Sequence, residues 1–254
     1  MSYNIILEVE DLSLETKQHH RLVNRVSFAL GKGETIGLVG ESGSGKSLTL
    51  RAILGLLPRG VEKVDGTIKS DERTAMVFQD PRGALDPLCP VVKQLSEVVR
   101  FRQQVSKKAA REIALELLER LGLPDSLKTA DRYPSQLSGG QCQRVVIAIA
   151  LACKPSILLC DEPTTALDVT VQKQIIETIS ALQKELGFAM VFVTHNLAVA
   201  AAMCSKLCVM KNGEIVEEGD TLDLLQNPQD PYTQMLINSV LPVPELEGSE
   251  RIWN

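Results

Sequence analysis

Apolar residues nearly alternate at Leu7, Val9, Leu12 and Leu14, and alternate cleanly at Val26, Phe28 and Leu30, which predicts extended strands through the first forty positions. Residues 31–34 (GKGE) read as a turn, 35–39 (TIGLV) as a short buried strand, and 40–45 as a glycine-rich loop. A helix is expected over 46–57, stopped by Pro58 and Gly60, and another buried strand over 75–78. The pattern then changes. Residues 80–95 are rich in Pro, Gly and Asp and read as loop. Ser106 is placed to cap a helix reaching Arg120, with Ile113, Leu117 and Leu121 on one face and Gly122 as terminator. Ser138 to Gln141 form a second small-residue turn ahead of an apolar helix ending at Cys153. The strand and helix rhythm returns with a strand over 157–160, a helix over 171–186 carrying Ile175, Ile179, Leu182 and Leu186 on one side, and strands over 190–194 and 207–210. This order predicts an α/β core with a helical insertion at roughly 80–145 and a short tail from about 225 to 254.

Composition narrows the class. The chain has 254 residues, 44% hydrophobic and 23% charged, the balance of a globular protein able to bury a full core. Its net charge of −5 gives no general support for a nucleic-acid coat, which needs a basic face. The longest unbroken apolar run, Val145 to Cys153, is nine residues, too short to span a bilayer. The opening MSYNIILEVEDLS has neither a basic n-region nor an apolar h-region, so no signal peptide is expected. The six cysteines, at 89, 142, 153, 160, 204 and 208, lack zinc-like spacing and read as reduced, mostly buried thiols of a cytosolic protein.

Three places carry chemistry. Gly40, Glu41, Ser42, Gly43, Ser44, Gly45, Lys46 and Ser47, continuing to Leu48, match G-x-x-x-x-G-K-[ST] between an expected strand and helix. Glycines let backbone N–H groups wrap a phosphate, the helix adds its positive end, Lys46 supplies a full charge, and the Ser47 hydroxyl can ligate Mg²⁺. Asp161 and Glu162 end the apolar strand 157–160, where ligands of open parallel sheets bind. Asp161 falls where Mg²⁺ would sit, and Glu162 is the candidate general base for an attacking water. His195 ends another strand on the same edge and could hydrogen-bond a γ-phosphate, and Gln79, after 75–78, could bring an amide to Mg²⁺ or to water.

Leu137, Ser138, Gly139, Gly140 and Gln141 (LSGGQ) decide the class. With the phosphate loop, Gln79, Asp161 and Glu162, Ala166-Leu167-Asp168 and His195 in that order, the chain resembles the ATPase subunit of an ABC transporter along nearly its whole length. The resemblance implies a P-loop NTPase fold: a RecA-like core, an N-terminal antiparallel β subdomain and an inserted α-helical subdomain. It also implies head-to-tail dimers that sandwich two ATP molecules with Mg²⁺. Ser138, Gly139 and Gly140 of one subunit would then meet the γ-phosphate held by Lys46 of the other, and Asp168 would lie across the interface. The partners implied are a second ATPase subunit, two membrane permease subunits and, indirectly, a substrate-binding protein, with no nucleic acid. The location implied is the cytoplasmic face of the cell membrane, held peripherally.

Two departures stand out. Where the family often stacks an aromatic ring on adenine, this chain has Lys17, Gln18, His19 and His20. Cys142 and Cys160 replace residues of other kinds without removing a catalytic group. Within the family, LVGESGSGKS (38–47), DEPTTALD (161–168) and NPQDPYT (227–233) leading to Leu241 and Pro242 resemble the oligopeptide, dipeptide and nickel importer branch. KSLT (46–49) followed by LGLLP (54–58) is most similar to the first ATPase of nickel importers, so nickel uptake is the expectation and peptide uptake the alternative. Nickel itself is expected never to touch this chain. His19-His20 makes a poor chelate, while Cys204 and Cys208, spaced to share a helix face, read as core. Residues 81–95 are expected to receive the membrane partner. A soluble ATPase of this class acting on DNA or ribosomes would usually carry a coiled-coil insertion or two ATPase units, and intact Lys46, Asp161, Glu162 and His195 argue against an inactive regulator.

Overall fold

The computed structural model describes residues 4–129, 131–165 and 167–240. The strands are β1 (Ile5–Thr16), β2 (Arg21–Gly31), β3 (Thr35–Val39), β4 (Val61–Lys69), β5 (Thr74–Val77), β6 (Ile157–Asp161), β7 (Ala189–Thr194), β8 (Lys206–Lys211) and β9 (Glu214–Asp220). The helices are α1 (Lys46–Ile53), α2 (Val91–Gln103), α3 (Lys107–Arg120), α4 (Ser126–Thr129), α5 (Gly139–Ala152), α6 (Val169–Leu186), α7 (Leu197–Met203), α8 (Thr221–Gln226) and α9 (Pro231–Val240).

Two sheets form. β2-β1-β4 is antiparallel, and β5-β6-β7-β3-β8-β9 is parallel except for its last strand. β3, β6 and β7 are buried at every position, as strands covered on both faces must be. Because successive side chains point to opposite faces, the large sheet divides the core in two. Leu158, Cys160, Met190 and Phe192 pack with α2, α3, α5 and α6. Ile157, Leu159, Val191 and Val193 pack with α1 and the antiparallel sheet. Between β5 and β6 the chain leaves the sheet and makes α2 to α5 before returning.

Several expectations change in detail. The first helix ends at Ile53, not at residue 57, because Gly55 turns left-handed (φ 67°). Its N–H reaches Ala52 O at 3.0 Å while that of Leu56 reaches Arg51 O at 2.8 Å, a Schellman closure. The expected loop over 80–95 ends early, since α2 begins at Val91. Ser106 does cap α3 and Gly122 does close it. The Ser138–Gln141 turn is itself the start of α5. Cys204 and Cys208 share no helix: Cys204 follows α7 and Cys208 lies in β8, both buried. β4 and β9 are strands that the pattern does not announce. Leu241, Pro242 and the rest of the tail, with Ala166, lie outside the described residues.

Candidate functional site

The loop 40–47 joins the end of β3 to α1, where the sheet offers its carboxyl edge. Gly40 (φ 146°) runs so close to the neighbouring strand that a Cβ would sit 2.1 Å from Met210 O. Gly45 (φ 102°) is the N-cap of α1 and supplies no side-chain cap, so the helix's first amides stay available to a ligand. Gly43 (φ 83°) faces open space, and Ser42 and Glu41 are exposed. Leu48, partly buried, packs against the core cluster that α1 shares with the antiparallel sheet.

Lys46 is only 3% exposed. Its ammonium donates to Gly40 O (2.8 Å), Glu41 O (2.7 Å) and Ser44 Oγ (3.1 Å). Burial pulls its pKa below the ordinary lysine value, against the pull of Glu162, Asp161 and Glu41. One residue on, Ser47 Oγ donates to Asp161 Oδ1 at 2.6 Å, linking α1 to the end of β6. Asp161 is 1% exposed, and burial raises its pKa although the Ser47 hydroxyl opposes the shift. A buried cation and a buried carboxylate, each pushed toward neutrality, suit a ligand that brings negative charge to the first and a hard cation to the second. The hydroxyl and carboxylate oxygens fit Mg²⁺, which binds through one or two carboxylates plus phosphate oxygens rather than an all-protein cage. Among the described residues no group of three or more His, Cys, Asp and Glu side chains could hold a metal.

A second cluster gathers on one carboxylate. Glu162 Oε2 accepts from Thr165 Oγ1 at 2.7 Å, lies 3.2 Å from His195 Nδ1 and is met by Gln79 Nε2 at 3.5 Å. Glu162 itself holds a left-handed backbone (φ 45°), kept there by its N–H bond to Val193 O at 3.0 Å. So Gln79, Glu162 and His195 converge from the ends of β5, β6 and β7. Thr165, which orients the carboxylate, was not among the expected residues, although it lies inside the DEPTTALD stretch.

The remaining expected residues lie on other elements. Ser138 caps α5, its Oγ accepting from the Gln141 N–H while Gln141 Oε1 accepts from the Ser138 N–H. Gly140 is buried so tightly that a Cβ would meet Val171 Cγ1 at 2.6 Å. Asp168 is exposed and caps α6 through the Val171 N–H at 2.9 Å. Arg82 NH2 donates to Leu137 O at 3.2 Å, joining the segment after Gln79 to the LSGGQ turn. His19 and His20 lie exposed at the β1–β2 turn, with His19 Nδ1 3.5 Å from Glu15.

The glycine loop with its Ser47–Asp161 bond, the Glu162 cluster and the LSGGQ turn together form the arrangement expected of an ATP-binding cassette ATPase. Comparison with known proteins extends this. The family described as ABC transporter matches residues 23–165, and the family described as oligopeptide/dipeptide transporter, C-terminal region, matches 216–253. The chain is 42% identical to the dipeptide transport ATP-binding protein DppD of Haemophilus influenzae, over 97% of this chain and 80% of that protein. It is 41% identical to the oligopeptide transport ATP-binding protein OppD of Bacillus subtilis, over 97% and 75%. Among solved structures, the dimeric post-hydrolysis state of the ATP-binding cassette MJ0796, bound to ADP and Pi, superposes with a TM-score of 0.74 at 30% identity, covering 85% of this chain and 98% of that one. The chain belongs to the ATP-binding subunits of oligopeptide/dipeptide-type ABC importers. It is an ATPase, the ATP-hydrolysing motor of an importer, and its mixed α/β architecture with an antiparallel sheet and helical parts is that of the expected fold class. No helix among the described residues is long and apolar enough to cross a membrane.

Proposed function

We propose that this subunit drives the uptake of short peptides, binding ATP at residues 40–48 and hydrolysing it at Glu162. The observation that supports this reading best is the Ser47–Asp161 bond, which ties the loop to the strand end that carries Glu162. Lys46 and the amides that open α1 hold the triphosphate. Mg²⁺, held by Ser47 and Asp161 with Gln79 close by, would neutralise charge on the transferred phosphoryl group. Thr165 and His195 fix the Glu162 carboxylate, which takes a proton from water as the water oxygen bonds to the γ-phosphorus. The bond from that phosphorus to the β–γ bridging oxygen breaks, leaving ADP and inorganic phosphate. His195 then stands where it can contact the γ-phosphate and register its loss.

The turn formed by Ser138, Gly139, Gly140 and Gln141, with Ser138 exposed at its head, together with the exposed Asp168, supplies the other wall of the site in a second ATPase subunit, the same or different. The similarity to the dimeric MJ0796 cassette supports this arrangement. In an assembly with two permease subunits, residues 81–95 would receive the membrane partner and hold the motor at the inner face of the membrane, with a binding protein delivering cargo. For the cargo, the C-terminal match and the dipeptide and oligopeptide relatives support peptide over nickel, so the alternative of the sequence reading replaces its first choice. A strain lacking this subunit should fail to grow when a required amino acid is given only as di- or oligopeptide, with nickel-dependent growth intact. Lost nickel uptake with normal peptide growth would reverse the assignment.

A further inference from the structure

The segment NPQDPYT (227–233) marks the importer branch, yet nothing in the ATPase chemistry above uses it. Its placement is specific. Asp230 Oδ1 accepts from the Tyr232 N–H (2.8 Å) and the Thr233 N–H (3.4 Å), capping α9, whose first residue is Pro231. The Glu217 carboxylate in β9 accepts from the N–H groups of Gln229 (2.8 Å) and Asp230 (3.0 Å), pinning the approach to that helix. Tyr232 is thereby carried inward to 4% exposure, with the Lys211 ammonium 4.7 Å above its ring. Its hydroxyl oxygen accepts the Glu41 N–H at 2.9 Å, 191 positions away in sequence.

That N–H belongs to the same peptide unit as the Gly40 carbonyl. The chain has no cis peptide among the described residues, so this N–H and C=O point in opposite directions. Tyr232 therefore grips one side of the Gly40–Glu41 peptide while Lys46 Nζ binds its other side at 2.8 Å, and the next carbonyl, Glu41 O, receives the same ammonium at 2.7 Å. Of the three acceptors that aim Lys46, Gly40 O lies in the peptide plane that the tyrosine grips and Glu41 O in the plane that follows it, so one tyrosine fixes the first and anchors the start of the second. A loop whose glycines permit several backbone states gains most from such a clamp.

We infer that Tyr232 is a positioning residue for the ATPase reaction: its hydroxyl locks the Gly40–Glu41 peptide and so aims Lys46, making the C-terminal segment part of the nucleotide site. This rests on the reading of residues 40–47 as the ATP loop. The test is Tyr232→Phe in the full chain, which keeps the ring and its stacking on Lys211 but removes the acceptor. The expected result is a rise of about fivefold in KM and Kd for ATP, the size of one lost neutral hydrogen bond. kcat and melting temperature should be kept, and the Glu41 amide should exchange with deuterium faster. An unchanged KM overturns the proposal whatever the amide does. So does a fall in melting temperature or in kcat in place of the rise in KM, which would be the mark of a packing role alone. Lys46→Gln, measured in parallel, separates the two readings. If it leaves ATP affinity intact, the loop is not the nucleotide site. If it abolishes binding while Tyr232→Phe matches the unaltered chain, only the role of Tyr232 fails.

Discussion

Two small-residue turns open helices in this chain, and they are built on opposite principles. The phosphate loop leaves α1 without a side-chain cap, wraps its own lysine in three oxygen contacts, and is covered from outside by Met210, Gly213 and Tyr232. The LSGGQ turn caps itself. Ser138 and Gln141 satisfy each other's amides in a reciprocal box, and Ser138 is exposed. On the proposed function the first is a preorganised anion cradle, whereas the second, which satisfies itself here, would open only to a partner's ligand that offers a better acceptor than the serine hydroxyl. An identical affinity for phosphate at both would contradict this.

Five substitutions break or sharpen the contrast, in order of expected effect. Lys46→Ala strips the cradle of its charge, and ATP affinity in an equilibrium titration should fall by at least about 100-fold; retained affinity would remove the loop from the site. Glu162→Gln should slow steady-state hydrolysis by roughly 10²–10⁴-fold while keeping ATP bound. It should also drive the chain to a dimer on size exclusion with ATP, which makes the second turn's contribution measurable. Gly40→Ala tests how tightly the cradle is seated. With φ at 146° and Met210 O 2.1 Å from the new methyl group, urea unfolding should show a loss of about 2–4 kcal/mol. Ser138→Ala should lower stability by only about 1 kcal/mol, the worth of an N-cap, and should abolish the ATP dimer of the Glu162→Gln background. Should the dimer survive, the turn is a helix cap and nothing more.

The smallest change concerns charge. Burial raises the pKa of Asp161, so the folded chain binds that proton more tightly than the unfolded chain does. Its contribution to stability is therefore fully present below the ordinary carboxylate value and is lost as pH rises through the raised one. Asp161→Asn keeps an acceptor for Ser47 and removes the buried charge. It should shift the urea midpoint slightly upward at neutral pH and flatten the pH dependence in that window, while losing the response to Mg²⁺. A lowered midpoint would mean that the carboxylate is stabilised by its neighbours rather than held ready for a cation.

Most of the sheet is readable in the sequence because its inner strands are mostly apolar runs bounded by turns. The strand over 35–39, followed by the loop and Lys46, also gives the site its address. The edge strands were harder. β4 (VEKVDGTIK) is mostly exposed and charged, so neither alternation nor an apolar run marks it. β9 is half-exposed, and the available signal was Asn212-Gly213 between two runs, whose left-handed pair (φ 48° and 86°) makes the hairpin turn. At the proposed site, Ser47, Asp161, Glu162, His195 and Gln79, which the structure brings together, are residues that motif and strand end single out. What could not be named were the residues that orient them, Thr165 and Tyr232, because a side chain that acts by holding another leaves no spacing rule. The expectation of nickel rests on a few residues beside Lys46, none of which has reason to report on what crosses the membrane, and the relatives support the peptide alternative better.

Gly213 joins three parts of the molecule at one atom's breadth. Its N–H donates to Ser44 O at 3.1 Å, its carbonyl accepts from Asn24 at 2.8 Å, and a Cβ there would strike Leu22 O at 2.7 Å. It works as a rivet: the small antiparallel sheet and the cradle must travel as one plate. On the opposite flank the tie is a side chain's instead: Arg82 NH2 donates to Leu137 O at 3.2 Å, joining the segment after Gln79 to the LSGGQ turn.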